Sequence, residues 1–565
     1  DDLFAAFSVA LLAIPQSMAY ALLAGLPPSA GLFSAIFGVI FTSFFGSSKH
    51  LIAGPTTGVA ILIQSTIAET ISSSYPNIDP DQMINITMHI LGQMILIMGL
   101  LQIIAGCFKF GKLLQFVSRS VVLGYFTGVI IAILVSQLFY FVGIPEHIGS
   151  SSVLYKAFYF FYNILLINWP AFILGVFGVV ILIILKKFFP RFPNASIMLV
   201  IVSLISFLLN KWFISSNFLF ANDWHIANLK DIGFFSRPSL RFTFFIFDLS
   251  LINKIFPACL AISLLSILEV FSVSRALAVK SGQNIHANQE IFGVGVANTF
   301  LSLITGSMPA SGSLSRSALN FLNKAKTRFA GIFSGVIVAV FTFICWPLIG
   351  HVPITALAAI LLVLAPSLIQ IKEIKLCFTA TRGDAVVFIL TFVSCLIFSL
   401  YIAFFIGVII SIASYLRKIA DPNLSEYAFN SSGRLMSVFP KKYPRKKIRI
   451  IGITGPLFFG VVDLLQYSLK KIAKDPYVKV IVLRLDKVKY IDASMCFAII
   501  RLHEYLKAAN RNLVISGLSE EVWNTLYKTK LVNELGQNNL FLSNEANPQL
   551  STWRACLRAE ELISD

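Results

Sequence analysis

Two interruptions at matching depths of the two halves of this chain constrain its fold more than any other feature: Gly54-Pro55-Thr56-Thr57-Gly58, and Gly306-Ser307-Met308-Pro309-Ala310-Ser311-Gly312-Ser313-Leu314-Ser315-Arg316. Each opens a short apolar stretch with residues that a simple membrane span avoids. In corresponding positions of two repeats, such breaks place half-helix N-termini near the bilayer midplane. There, unpaired N–H groups and positive dipole ends favour an anion.

The surroundings are those of a polytopic membrane protein: 565 residues, 57% hydrophobic, 13% charged, mean hydropathy +0.81. Apolar stretches of about 20 residues recur from Leu3 to Leu416. From Arg417 onward, charged and apolar residues alternate as they do in water-soluble domains. The expected division is a transmembrane domain over 1–418, a linker over 419–447 and a small α/β domain over 448–565.

The net charge of +18 divides as +11 before residue 419 (24 Lys and Arg against 13 Asp and Glu) and +7 after it. Fourteen crossings with the N-terminus inside leave 17 basic residues in inner loops and six in outer loops. That bias places both termini in the cytoplasm and excludes nucleic acid as the reason for the charge. The basic run Lys441 to Arg449 fits a solvated linker near the inner surface, with anionic membrane lipid as an alternative partner. Asp1 stands almost at the first span, so a preceding cytoplasmic stretch is expected; no cleavable signal is visible. The expected location is the plasma or bacterial inner membrane.

Segments near 3–25, 29–46, 55–70, 86–106, 118–142, 160–186 and 195–215 form one set. A second set follows at about 254–279, 290–304, 310–323, 329–349, 353–371, 384–399 and 400–418. Seven is odd, so the second set enters from the opposite face and the repeats are inverted. Gln16 precedes Gly54 by 38 residues and Glu269 precedes Gly306 by 37. Gln16 and Glu269 therefore hold equivalent places on the first helix of each repeat, facing the break that starts the third.

Glu269 is the only acidic residue in an apolar run from Ile255 to Val279, deep rather than terminal. A charge at that depth costs about 2.5–3.5 kcal/mol, so its protonation can respond to pH and to a neighbouring anion. The alternative is a Glu satisfied by helix packing. Arg316, four residues past Gly312, falls about one turn into the second half-helix. Its guanidinium fork matches oxyanions; a salt bridge to Glu269 is the other reading, and the two can coexist. Ser311, Ser313 and Ser315, with Thr56 and Thr57 opposite, supply hydroxyl donors or helix caps.

Ala13-Ile14-Pro15-Gln16-Ser17-Met18-Ala19-Tyr20-Ala21, then Ala24-Gly25-Leu26-Pro27-Pro28, Gly54-Pro55-Thr56 and Gly312-Ser313-Leu314-Ser315-Arg316-Ser317-Ala318-Leu319-Asn320 together resemble the SulP, or sulfate permease, family of anion transporters. The resemblance covers essentially the whole chain. It implies fourteen helices as seven-plus-seven inverted repeats on the uracil-permease plan, with a core (crossings 1–4 and 8–11) that moves in an elevator-like way against a gate (5–7 and 12–14). It implies homodimers, and substrates such as sulfate, bicarbonate, chloride, oxalate and dicarboxylates. Carried onto this sequence, the anion-binding set is Gln16, Tyr20, Thr56, Thr57, Ser311, Gly312, Ser313, Ser315 and Arg316. Ser-Leu-Ser-Arg is most similar to plant-type sulfate transporters, and Glu269 matches the carboxylate of proton-coupled members. Proton-coupled sulfate symport is the first expectation. Sodium-coupled bicarbonate transport, or an uncoupled channel or exchanger of the same fold, is the alternative. The wording of Ser281 to Gly295, with His286 and Gln289 near Glu290, departs from the family's.

The tail shows strand patterns at Ile448 to Thr454, Val478 to Leu485 and Leu513 to Ser516. Helical patterns fall at Phe459 to Lys474, Ser494 to Ala509 and Glu520 to Leu535. Tyr490-Ile491-Asp492-Ala493-Ser494 resembles the signature of STAS domains. Ala493 stands where a phosphorylatable serine would be, which leaves Ser494 as a helix cap. Seven dispersed cysteines read as small buried hydrophobes. Seven dispersed histidines give no nucleophile–base pair, so neither an enzyme, a cofactor nor a metal is expected.

Overall fold

A computed structural model of the chain describes residues 1–75, 80–111, 117–144, 152–189, 192–215, 226–231, 248–304, 306–419, 423–430, 434–438, 447–454, 466–467, 471–472, 475–544, 547 and 549–564. They form two compact units, Asp1–Ser411 and Ile412–Asp565.

The first unit is helical. Its first repeat carries α1 (Asp2–Leu23), α2 (Pro28–Phe45, with a π turn at Ser34–Gly38), α3 (Thr57–Ser74), α4 (Pro80–Cys107), α5 (Arg119–Val142), α6 (Val153–Tyr162), α7 (Trp169–Phe188) and α8 (Asn194–Ser215). The second carries α9 (Leu249–Ser281), α10 (Ala287–Ser302), α11 (Leu314–Leu322), α12 (Phe329–Ile349), α13 (Ile354–Leu364), α14 (Ile371–Ala380), α15 (Arg382–Ile397) and α16 (Leu400–Ile419), the last running past the unit's end. Among the described residues, ten helices are long and apolar enough to span a membrane. α3 and α11, the helices that follow the two breaks, are not among them.

Every expected crossing has a helical counterpart, with two differences. The stretch 160–186 does not run through: α6 ends at Tyr162, and Asn168, whose carboxamide accepts from the Ala171 N–H at 3.0 Å, starts α7 with Pro170 in its first turn. An Asn cap followed by Pro is a helix start, and apolar content alone hides it. The stretch 353–371 is α-helical to Leu364 and continues through a 3-10 turn at Ala365–Leu368 into the short α14, so that Ile354–Ala380 counts as one of the ten.

Small residues let the helices approach closely. Gly124 and Gly128 bring α5 against Phe388 and Cys395 of α15, and Gly99 and Gly106 bring α4 against Gly295, Thr299 and Phe292 of α10. Small residues four or seven apart are how helices associate where burial against lipid gives no hydrophobic gain. Within the unit, α4 runs along α10 and α1 along α12, while α5 packs on α13 and α15, and α7 on α13 and α8.

The second unit is a six-stranded sheet in the order β4-β3-β5-β6-β7-β8, formed by β3 (Asn423–Phe429), β4 (Leu435–Val438), β5 (Ile448–Thr454), β6 (Val480–Arg484), β7 (Asn512–Leu518) and β8 (Leu540–Leu542). β5 to β8 are parallel, and β3 and β4 join as an antiparallel hairpin. Helices α17 (Ala493–Ala508), α18 (Glu520–Lys528), α19 (Leu531–Leu535) and α20 (Leu550–Ser564) accompany it. The stretch 419–447, expected as a linker, contributes β3 and β4; Tyr427, Phe429 and Leu435 pack on the sheet. Arg449 of β5 makes a bidentate pair with Glu426 of β3 at 2.8 and 2.7 Å. The expected cap at Ser494 is corrected: Asp492 caps α17, accepting from the Met495 N–H at 2.9 Å, and Ser494 already lies inside the helix. A carboxylate at the N-cap also opposes the positive helix end, which a serine does not. Most of the helix expected over 459–474 and most of the basic run from Lys441 lie outside the described residues.

Candidate functional site

The two breaks meet. Ala53–Gly54 (β1) and Ser311–Gly312 (β2) form a two-residue antiparallel ladder, Ala53 opposite Gly312 and Gly54 opposite Ser311. Chain direction explains it: inverted repeats bring their equivalent segments together in opposite senses. Beyond the ladder each strand turns into a half-helix through an extended residue, Thr56 (φ −126°, ψ 157°) before α3 and Ser313 (φ −89°, ψ 115°) before α11. Neither of these residues caps its helix with its side chain. The first-turn N–H groups of Thr57, Gly58 and Val59, and of Leu314, Ser315 and Arg316, thus keep their donor capacity.

Arg316 is wholly buried, 0% exposed. Its Nη2 donates to the Pro55 carbonyl at 2.6 Å, across the ladder from its own helix, and its Nε has no hydrogen-bond partner. Gly54 makes the room. A Cβ there would stand 2.7 Å from Nη1, and the backbone φ of +152° is one that only glycine adopts readily. No ion pair joins Arg316 to Glu269 among the described residues. A buried guanidinium with one carbonyl for five N–H donors favours an anion beside it.

Glu269, on α9, is 9% exposed. Its Oε2 accepts from Thr56 Oγ1 at 2.9 Å and Ser311 Oγ at 2.6 Å, one hydroxyl from each break. Its Oε1 turns to the start of α3, where a Cβ on Gly58 would come within 3.0 Å of it. Tyr20, buried on α1, lies beside Thr57 and within electrostatic reach of both Arg316 and Glu269. Gln16, one turn earlier, is buried with Oε1 unpartnered. The structure thus gathers Tyr20, Thr56, Thr57, Glu269, Ser311, Gly312 and Arg316 around the crossing. Ser313 is buried at the α11 start, 3.5 Å from the Ser315 hydroxyl, whereas Ser315 itself is exposed.

Several residues that hold the site carried no role in the sequence reading. Asn298 of α10 is fully buried; its amide donates to the Ala310 carbonyl and to Gln102, and its oxygen accepts from the Ala310 N–H at 2.7 Å. Ser317 accepts from the Ile52 N–H at 2.8 Å, and Asn320 donates to the His50 carbonyl. Tyr125 of α5 is fully buried with its hydroxyl unpartnered, within electrostatic reach of Glu269. The signal for Asn298 was an amide inside an apolar helix. His286 and Gln289 help clamp the loop after α2: the His286 N–H donates to Ser47, the Gln289 amide donates to the Phe45 carbonyl, and Glu290 accepts from the Ser48 N–H at 2.6 Å.

A sequence profile described as the sulfate permease family matches residues 1–391. The chain belongs to the sulfate permease family. A STAS domain profile matches residues 440–546. Among similar sequences, "Probable sulfate transporter 4.2" of Arabidopsis thaliana is 29% identical over 567 residues, covering 96% of this chain and 79% of its own. "Putative sulfate transporter YvdB" of Bacillus subtilis (strain 168) is 28% identical, covering 96% and 95%. The murine Slc26a9 anion transporter in its inward-facing state shares the fold, with a TM-score of 0.85, 20% identity and 99% and 91% coverage. The transmembrane domain of the cyanobacterial bicarbonate transporter BicA aligns at a TM-score of 0.59, with 19% identity over 73% and 96%. Family and fold make this sulfate permease family member an integral membrane transporter of inverted-repeat design, not an enzyme.

Proposed function

We propose that the protein is a secondary active transporter that takes up sulfate together with protons. The observation that carries this reading is Arg316: a fully buried guanidinium where two half-helix N-termini converge. Helix dipoles and open N–H groups supply diffuse positive potential, and the planar fork supplies two donors that fit a tetrahedral oxyanion. The names of the similar sulfate transporters point the same way.

Glu269 is the coupling group in this reading. It shares its hydroxyl partners Thr56 and Ser311 with the walls of the anion site, so its proton and the anion are felt by the same side chains. Loading the proton removes a negative charge next to an incoming dianion, so each binding step favours the other. Helices α1–α4 and α9–α12 would carry the site, and α5–α8 and α13–α16 would form the gate it moves against, in an elevator-like exchange of access with both termini in the cytoplasm. Residues 448–565 would act as a cytoplasmic STAS domain and the chain as a homodimer.

Uptake of labelled sulfate by proteoliposomes, with and without an imposed pH gradient and with and without sodium, tests the reading. Sulfate should accumulate when the outside is more acidic, independently of sodium, with protons entering alongside. Sodium-dependent bicarbonate uptake without sulfate uptake would replace it, as would large uncoupled anion currents.

A further inference from the structure

We infer that Glu290 is a positioning residue for anion binding, acting through the loop after α2 on the partners of Arg316. The inference rests on the reading of Arg316 as the group that holds the anion. Glu290 stands in the first turn of α10 and is 1% exposed. Its Oε1 accepts three hydrogen bonds from two consecutive loop residues: from the Ser47 N–H, from the Ser47 hydroxyl at 2.6 Å and from the Ser48 N–H at 2.6 Å. Its Oε2 has no hydrogen-bond partner and lies against Gly46, where a Cβ would stand 3.2 Å away. One oxygen taking all three donors is a grip on the loop. Gln283 adds to it, donating to the Ser47 carbonyl and accepting from the Lys49 N–H, and Arg328 donates to the Gly46 carbonyl.

Little slack separates this grip from the anion site. The Ser48 hydroxyl accepts from the His50 and Leu51 N–H groups, Ser317 accepts from the Ile52 N–H, and the Ser313 N–H donates to the Ile52 carbonyl. Ala53 and Gly54 follow as β1, and Pro55 offers Arg316 its carbonyl. A shift at Ser47 and Ser48 is therefore passed to the glycine that makes room for the guanidinium and to the oxygen that holds it. Further along α10, Asn298 holds Ala310 by two bonds ahead of the second break. One helix thus grips both approaches, at points about 12 Å apart along its axis, and sets the spacing of the two breaks independently of the ladder between them.

Glu290→Gln keeps the shape of the side chain, replaces charge-assisted hydrogen bonds with neutral ones and sets a buried N–H2 where an oxygen had no partner. Hydrogen exchange and equilibrium sulfate binding by the full chain in lipid nanodiscs, with sulfate uptake in proteoliposomes, test the inference. In Glu290→Gln the amides of Ile52 to Gly54 should exchange roughly tenfold faster, with those of α12 unchanged. Sulfate binding should weaken roughly three- to tenfold, and half-saturating sulfate should rise by the same factor at an unchanged maximal rate per folded molecule. A merely structural role gives the opposite signature, a lower maximal rate at unchanged half-saturation. Ser47→Ala removes one of the three donors, together with the acceptor of the His286 N–H. It should show the same pattern at about two- to threefold, and it carries the test if Glu290→Gln does not fold. Unchanged half-saturation in both variants, or unchanged exchange at Ile52 to Gly54, would overturn the inference. A wild type that binds no sulfate would refute the proposed function, and faster exchange in Glu290→Gln would still uphold the hold of Glu290 on the first break.

Discussion

The two breaks have the same backbone plan and unequal chemistry. The first, Gly54 to Gly58, contributes space, a carbonyl and a hydroxyl: Gly54 clears the guanidinium, Gly58 clears the carboxylate, Pro55 offers its oxygen and Thr56 donates to Glu269. The second, Ser311 to Arg316, contributes the charge and a hydroxyl that reaches Glu269. The helices facing them differ likewise, with a neutral Gln16 in one repeat and Glu269 in the other. Inverted repeats supply a symmetric frame, and the chemistry of the candidate site is divided unequally across it.

Arg316→Ala should break the comparison most severely, leaving two breaks and no charge. Two charge-assisted hydrogen bonds at about 1.5 kcal/mol or more each correspond to a loss of roughly a hundredfold or more in sulfate affinity, read by equilibrium binding. Gly54→Val tests the same contact from the silent side. A branched Cβ at φ +152° and within reach of Nη1 costs about 1–3 kcal/mol in backbone strain alone, and affinity should fall at least tenfold with Arg316 intact.

Glu269→Gln makes the two first helices chemically alike. Binding should stay within about threefold of wild type, while accumulation driven by an acid-outside gradient disappears; gradient-driven uptake at wild-type rates would remove Glu269 from coupling. Asn298→Ala leaves both charges in place and frees the second break. The lost amide bonds should cost about 1–3 kcal/mol of stability, seen as a lower melting temperature that added sulfate partly restores. The smallest effect belongs to the second unit: Glu426→Ala removes the partner of Arg449 and should lower local stability by about 1 kcal/mol. Faster hydrogen exchange in β3 than in β7 would register it, with sulfate transport unchanged.

Local chemistry made much of this legible in the sequence. Gly-Pro and Met-Pro inside apolar runs announce breaks wherever they fall, and a lone Glu or Arg deep in such a run stands out without any tertiary information. Caps are local too, yet the competition between Asp492 and Ser494 turned on which residue opens the helix, a matter of two positions. Ser315 shows the effect of helical phase, since one residue's rotation separates it from buried Arg316. The clamps by Asn298, Ser317 and Asn320 were hidden because each acts on backbone that only folding brings near. The hairpin of β3 and β4 was hidden for a similar reason: its short, half-polar strands become a sheet edge only once β5 lies beside them.

The two-rung ladder between Ala53–Gly54 and Ser311–Gly312 bears on how cargo travels. Stubs laced head to head cannot part like jaws to release what they hold without tearing main-chain bonds. In the transport cycle proposed above, the rearrangement that exposes the binding place to one compartment and then the other would leave this knot tied, and the passenger would cross inside an unchanged berth while only the surrounding scenery is exchanged.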